Sequence, residues 1–266
     1  MKIRKHSASE SGFSIIELAI ILVIFGGIAG MSLTLGYGWL KQERFNSTKL
    51  NIKTIEMALD NYRKRNNRLP CPADLTLASG VANYGIEASN PGACTGGGIV
   101  AATTTNANIV FGAIPAEALG IGKNLMQDNW GREFVYYVDK RLTAQDILDE
   151  RTAGYFDMTS ATIGDIVVQD ATGANRTAKA VYAILSHGEN GHGGYLPATG
   201  VRLSSVIGAD ATEAENCNCD DTATTTGAAP YDNDNILVQA TQGVTFDDIV
   251  VYRERDWLFN KVPKNN

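Results

Sequence analysis

One carboxylate occupies an unusual position near the start of the chain. Glu17 is the only charged residue between Phe13 and Leu40, and the residues around it are mostly apolar. A carboxylate five residues into an apolar membrane helix costs about 2.5–3.5 kcal/mol, so it requires a partner. An ionised amine on Phe13 of a neighbouring copy would be such a partner if the chain were cut just before that residue. Such a pair would require a new α-amino group at membrane depth.

The segment from Phe13 to Leu40 exceeds the length of about 20 residues that a helix needs to cross a bilayer. Basic residues at positions 2, 4 and 5 precede it, and the positive-inside rule leaves such a leader in the cytoplasm. A secretory signal peptide would have a shorter apolar region and a small-residue cleavage site, which this segment lacks. A plain signal anchor would leave Glu17 unexplained.

The residues Gly12-Phe13-Ser14-Ile15-Ile16-Glu17-Leu18 resemble the processing site of type IV prepilins and of the pseudopilins of type II secretion systems. The resemblance implies cleavage after Gly12 by a prepilin peptidase, methylation of the new amino group on Phe13, and the Glu17 ion pair. It also implies other pilin or pseudopilin subunits and an inner-membrane assembly platform as partners. One departure is that pilins commonly carry a proline near the position of Thr34, where this chain has several glycines instead.

Four cysteines allow three disulfide connectivities in a domain exported to an oxidising compartment. We favour a bridge between Cys71 and Cys94, which bracket one loop, and loop closure would contribute about 3 kcal/mol. Cys217 and Cys219 are separated by one residue, so a bridge between them would be strained, and the alternatives cross-link the two loops. A metal site is disfavoured because no third and fourth ligand stands at zinc-finger spacing.

A Gly-rich segment with His187, Glu189 and His192 follows a predicted strand. Its glycines present no fixed ligand face, so the pattern favours a surface turn over a zinc site. The segment also resembles the turn after a strand in major pseudopilins, where oxygen ligands bind calcium. By that resemblance Glu189, Asp232 and Asp234 are candidate calcium ligands, with Asn190, Asp220 and Asp221 as further oxygen donors. The alternative is a solvated acidic loop, because the spacing matches no closed calcium-loop motif.

Composition narrows the remaining function classes. With 23 Lys and Arg against 29 Asp and Glu, the net charge of -6 argues against a nucleic-acid-binding protein. The 266 residues, 44% of them hydrophobic and 20% charged, allow a sizeable core and exclude both a disordered polyanion and a polytopic membrane protein. No phosphate loop, nucleophile elbow or zinc-protease helix is present, so we expect no enzyme activity.

A long helix is expected to carry Glu17. No proline occurs from Phe13 to Leu69, and the spacing of Phe45, Ile52, Ile55, Leu59 and Tyr62 forms one helical face, so the helix should run to about Asn66.

Short helices are expected at Ala73–Ala78, Pro115–Leu119 and Arg141–Glu150. An Asp-x-Trp-Gly turn at Asp128–Gly131, similar to the pseudopilin turn, should place its indole in the core and lead into a strand at Glu133–Val138. Later strands are expected at Ile166–Gln169, Ala180–Ser186, Ile236–Gln239 and Asp248–Tyr252.

Together these features predict an α+β protein with a pilin fold. Its long N-terminal helix would have a membrane-spanning half and an amphipathic half packed on an antiparallel β-sheet with long loops. The predicted regions are a cytoplasmic leader (1–12), a transmembrane or filament-core helix (13–40), an amphipathic helix (41–68) and a periplasmic or extracellular head (69–266).

The predicted function is that of a minor pilin or pseudopilin, a structural subunit of a type IV pilus or a type II secretion pseudopilus. Before assembly the chain would lie in the inner membrane as a single-pass protein, and the filament would be periplasmic or on the cell surface. The alternative is a membrane-anchored periplasmic enzyme or binding protein that does not polymerise.

Overall fold

The computed structural model describes residues 14–101, 107–154, 163–203, 211–217, 234–243 and 245–259, with the backbone alone at 28, 29, 31–37 and 211. The predicted leader, including Gly12, and Phe13, the residue predicted to follow the cleavage site, lie outside the described residues. The chain divides into two compact units, Met1–Arg44 and Phe45–Asn266.

Helix α1 is Ile15–Asn66, and the boundary between the two units falls within it. A hydrogen bond from the Leu18 amide to the Ser14 carbonyl (3.1 Å) opens the helix. The helix ends where Asn67 adopts a left-handed backbone (φ 50°), a conformation that asparagine tolerates better than most residues. In the second unit α1 buries the apolar face Ile52, Ile55, Leu59 and Tyr62 against the core.

The remaining elements belong to the second unit. The described strands are β1 (Val100–Ala101), β2 (Ile109–Ala113), β3 (Val135–Asp139), β4 (Ile166–Gln169), β5 (Asn175–Ser186), β6 (Tyr195–Leu196), β7 (Val201–Arg202), β8 (Ile236–Val238) and β9 (Ile249–Glu254). The short helices are α2 (Ala116–Leu119), α3 (Ala211–Asn216) and α4 (Arg255–Phe259), with single 3-10 turns at Lys123–Met126 and Lys140–Thr143.

The main sheet has the order β1-β2-β3-β5-β4-β8, and β9 pairs with β5 as well. Strand β5 is therefore the spine of the sheet, since β3, β4 and β9 all hydrogen-bond to it. All pairings in this sheet are antiparallel except that of β4 with β8, which is parallel. Strands β6 and β7 form a separate two-stranded ribbon. The core is rich in aromatic side chains, including Phe134, Tyr136 and Tyr182.

The expected pilin fold is wrong for this chain. The sheet is mixed rather than antiparallel and curls into a half-barrel. Among the described residues, none of the helices combines the length and apolar character required to cross a membrane.

Two of the expected short helices are also wrong. At Ala73–Ala78 the backbone is used by the sheet instead, because Ala73 exchanges hydrogen bonds with Ala113 (2.8 and 2.7 Å). At Arg141–Glu150 the chain makes only the 3-10 turn Lys140–Thr143 and then turns through Asp146, whose φ of 53° interrupts any helix. The helix expected at Pro115–Leu119 is present as α2.

The expected strands agree with the structure better than the expected helices do. Strand β4 has the predicted bounds, and β3, β5, β8 and β9 each overlap the predicted segment. Strands β1 and β2 were not expected, because they follow or interrupt a Gly- and Thr-rich tract that favours a loop.

Candidate functional site

The described start of α1 is covered with apolar side chains on every side. Ile15 is 87% exposed, Ile16 73%, Val23 76% and Phe25 66%, and Leu18, Ile20, Leu22 and Ile24 are each more than half exposed. At 100° per residue these positions surround the helix rather than forming one stripe. On a folded protein in water, an exposed apolar surface of this kind marks a site of contact with another protein, a ligand or a membrane.

Glu17 lies in the first turn of this helix and is exposed. A negative charge is favourable there, because the first turn has unpaired amide groups and the positive end of the helix dipole. Its predicted partner, the amino group of Phe13, and the cleavage residue Gly12 lie outside the described residues. The ion pair and the processing step therefore stay predictions.

A second candidate site is formed by three buried carboxylates in the second unit. Glu213 of α3 and the adjacent Asp247 and Asp248, just before β9, place one carboxylate oxygen each within 4.8 Å of one another. Glu213 is 2% exposed, Asp247 8% and Asp248 4%. Sequence reasoning missed this cluster, and the Asp-Asp pair directly before a buried strand was the available signal.

Asn190, in the turn after β5, connects two members of the cluster. Its side-chain amide donates to both carboxylate oxygens of Glu213 (2.9 and 2.8 Å), and its backbone amide donates to Asp247 (2.9 Å). The Asp247 amide donates to Glu213 (2.9 Å), and His192 Nδ1 lies 3.1 Å from the same carboxylate. The amide groups of Asn190 and Asp247 stabilise the Glu213 carboxyl, and no lysine or arginine pairs with it within the described residues.

Asp248 is held less completely. One of its oxygens accepts a hydrogen bond from the Asn216 side chain (2.9 Å), whereas Oδ1 has no hydrogen-bond partner among the described residues. Burial raises the pKa of Asp248 well above its usual range; the Asn216 hydrogen bond opposes this shift, and the charges of Glu213 and Asp247 add to it.

The predicted calcium ligands are placed differently. Asp234 is buried and its Oδ1 accepts the Ile236 amide (2.8 Å), so it shapes the entry into β8. The Glu189 carbonyl accepts a hydrogen bond from Arg132 (3.0 Å), and Asp232 lies outside the described residues. Oxygen donors do gather in this region, but the described cluster uses Glu213, Asp247 and Asp248. Calcium binding stays a prediction.

The histidines do not form a zinc site within the described part of the chain, where the three carboxylates are the one group with metal-ligand geometry. His187 is fully buried, and desolvation together with the nearby Arg202 guanidinium lowers its pKa to about 3. Its imidazole is therefore neutral at physiological pH.

The predicted Asp-x-Trp-Gly turn is a structural junction. Asp128 accepts the amides of Trp130 and Arg132 (both 2.9 Å) through one oxygen and the Ser186 hydroxyl of β5 (2.7 Å) through the other. Burial raises the pKa of Asp128, and these hydrogen bonds oppose the shift. The Asn129 amide donates to Thr48 of α1 (3.1 Å). The turn thus joins α1, β3 and β5, and its indole is partly buried against the core, as expected.

The structure contains the disulfide between Cys71 and Cys94, the pairing that the sequence favoured. Glu87, inside the closed loop, accepts hydrogen bonds from the Cys71 amide (2.7 Å), Arg68 (2.6 Å) and the Tyr62 hydroxyl (3.2 Å), so the loop is fastened to the end of α1. Cys217 is also disulfide-bonded, and Cys219 lies outside the described residues.

Comparison with known proteins adds no relative: no family model, no curated protein sequence and no solved structure matches this chain.

Proposed function

We propose that this protein is a structural subunit of a type IV pilus or type II secretion pseudopilus, a minor pilin or pseudopilin. A prepilin peptidase cleaves it after Gly12, and its N-terminal segment packs against other subunits. The observation that carries the proposal is Glu17, a single charge in a segment whose described apolar side chains are exposed all round the helix.

Burial of this segment supplies the driving force. Eight large apolar side chains between Ile15 and Phe25 are each more than half exposed. Transferring such side chains from water to an apolar contact contributes on the order of 10 kcal/mol in sum. Neighbouring copies provide that contact in a filament, and the inner membrane provides it before assembly.

Glu17 makes the packing specific. A carboxylate buried between apolar helices is destabilising unless it is paired. Cleavage after Gly12 creates an α-amino group on Phe13, and this group on a neighbouring subunit neutralises Glu17. The same pair fixes the axial offset between subunits, because only one offset brings the two charges together.

The first experiment determines the mature amino terminus. The full-length chain is produced in a host with active prepilin peptidase and analysed by intact-mass and peptide mass spectrometry. We expect loss of residues 1–12 and one methyl group on Phe13. Retention of Met1 would refute processing and would favour the alternative of a membrane-anchored periplasmic enzyme or binding protein.

The second experiment tests assembly separately from processing. Glu17→Ala is expected to be cleaved normally but to be lost from sheared or sedimented filaments by at least tenfold. The matched control is Glu10→Ala, which removes a carboxylate from the leader. Assembly of Glu17→Ala at the level of the control would refute the role assigned to the ion pair.

A further inference from the structure

Glu133, which precedes β3, has a carboxyl group that the proposed assembly does not use. The residue is fully buried, and neither carboxylate oxygen has a hydrogen-bond partner of good geometry among the described residues. It takes part in none of the ion pairs of the described structure. A buried carboxylate in this situation is costly, because nothing replaces the water that it loses on folding.

The backbone at Glu133 is held in place by hydrogen bonds to two neighbouring segments. Its amide donates to the Tyr195 carbonyl (3.0 Å), and Phe134 donates to the Met126 carbonyl (2.8 Å). Gln127 forms a β-bridge with Glu133 from the opposite side. The backbone therefore fixes the point at which the side chain enters the core. Exposing the carboxyl to water requires movement of the residues that pack on it.

That segment is the turn at Tyr84 and Gly85. Tyr84 is fully buried, and its hydroxyl lies beside the Glu133 carboxyl. Gly85 has a φ of 77°, and its α-carbon packs so closely on Met126 that a Cβ atom would lie 2.8 Å from the sulfur. The Gly85 carbonyl accepts the Glu117 amide of α2 (3.1 Å). Tyr84 therefore lies against the carboxyl, and the contacts of Gly85 hold this turn on Met126 and α2.

Within the part of the chain that the structure describes, no charged group pairs with the Glu133 carboxyl. The carboxylate of Asp74 raises the pKa of Glu133 further. The Arg132 guanidinium is engaged by the carbonyls of Trp130 (2.8 Å) and Glu189 (3.0 Å). Lys123 lies over the Tyr84 ring, 5.8 Å from its centroid, and Tyr195 contributes its backbone carbonyl. Desolvation accordingly raises the pKa of Glu133 to about 8, against the opposing effect of the Tyr84 hydroxyl.

We propose that Glu133 is a proton-controlled latch: the neutral acid lets the Tyr84–Gly85 turn close over it, and the carboxylate opens that turn. The direction follows from linkage. A carboxyl whose pKa is higher in the closed state than in the open state, where it is about 4.5, stabilises closure fully below pH 4.5. This contribution is lost as the pH rises towards 8.

Hydrogen exchange of the full-length chain, kept soluble in a nonionic detergent, tests the latch. After correction for intrinsic exchange, the opening constant of peptides that contain Tyr84 and Gly85 should rise roughly 400-fold from pH 5 to pH 8. Glu133→Gln should remove this dependence. Glu117→Gln, which removes an exposed acid next to the same turn, should retain it.

The carboxyl carbon resonance of Glu133 in the labelled, unchanged chain provides a measurement that does not depend on any variant. It should titrate near pH 8, well above the resonances of exposed glutamates. The proposal is refuted if the unchanged chain shows less than a threefold change in opening, if Glu133→Gln preserves the full change, or if this carboxyl titrates near pH 4.5. None of these outcomes bears on cleavage after Gly12 or on filament assembly.

Discussion

Arg63, near the end of α1, holds the C-terminal helix α4 in place. Its guanidinium donates to the Leu258 carbonyl and to Asp60 (2.7 Å), and it lies 4.7 Å above the ring of Trp257. Trp257 in turn meets Tyr182 of β5 edge-on, with centroids 5.0 Å apart. One side chain therefore links the first and last described elements of the second unit to its central strand.

The cost of Arg63→Ala follows from these contacts. A hydrogen bond from a charged donor to a buried carbonyl contributes about 1.5–3 kcal/mol, and a partly desolvated cation–π contact about 0.5–2 kcal/mol. The ion pair with Asp60 contributes less than about 1 kcal/mol, because Asp60 is partly exposed and also pairs with Lys64. Since these contributions are not additive, we expect a loss of about 3 kcal/mol.

Urea unfolding of the full-length chain, followed by tryptophan fluorescence, measures this loss. Lys64→Ala is the matched control, because it removes a cation that pairs with the same Asp60 but touches neither Leu258 nor Trp257; it should cost less than about 1 kcal/mol. Arg63→Lys should fall between the two, since lysine keeps the charge without the planar group. Equal losses for Arg63→Ala and Lys64→Ala would refute the assignment of the stabilisation to α4.

Three further predictions concern stability. Replacing Cys71 and Cys94 together by serine should lower the free energy of unfolding by about 3 kcal/mol, measured by urea titration, and no loss would contradict the loop-closure argument. Gly112→Ala should cost about 1–3 kcal/mol in thermal unfolding, because its Cβ would collide with the carbonyl oxygen of Ala73, whereas Gly80→Ala, with open space around it, should be neutral. Asp248→Asn should raise the melting temperature at pH 8 in EGTA, because it removes a buried acid with an oxygen that has no hydrogen-bond partner among the described residues. If the site binds calcium, added calcium should stabilise the unchanged chain and not this variant.

The strands were largely predictable because their signal is local. Runs of β-branched and aromatic residues located β3, β4, β5, β8 and β9 to within a few residues, apart from the start of β5. That strand begins at Asn175, in a polar stretch whose extended form depends on pairing with β4. Local sequence carries no information on that pairing.

The sheet topology was not predictable for a related reason. β4 pairs in parallel with β8, which lies about 70 residues further along the chain, and a short apolar run does not specify its partner or direction. The carboxylate cluster was not predictable for the same reason. Glu213, Asp247 and the bridging Asn190 come from three separate segments, so their contacts exist only once the chain has folded.

The Asp-x-Trp-Gly turn shows how sequence and structure assign importance differently. The sequence pattern singled out Trp130 and Gly131. The residues whose pKa is shifted are instead Asp128, at the start of the turn, and Glu133, just after its end. Burial raises the pKa of both Asp128 and Glu133, yet three donors satisfy Asp128 and no well-formed hydrogen bond satisfies Glu133. A buried acid whose oxygens accept hydrogen bonds stabilises one conformation over a wide pH range, because its donors are buried beside it. An unsatisfied one can be accommodated only by taking up a proton or by opening its cover, and this difference is why the pH response is assigned to Glu133 and the rigidity of the turn to Asp128.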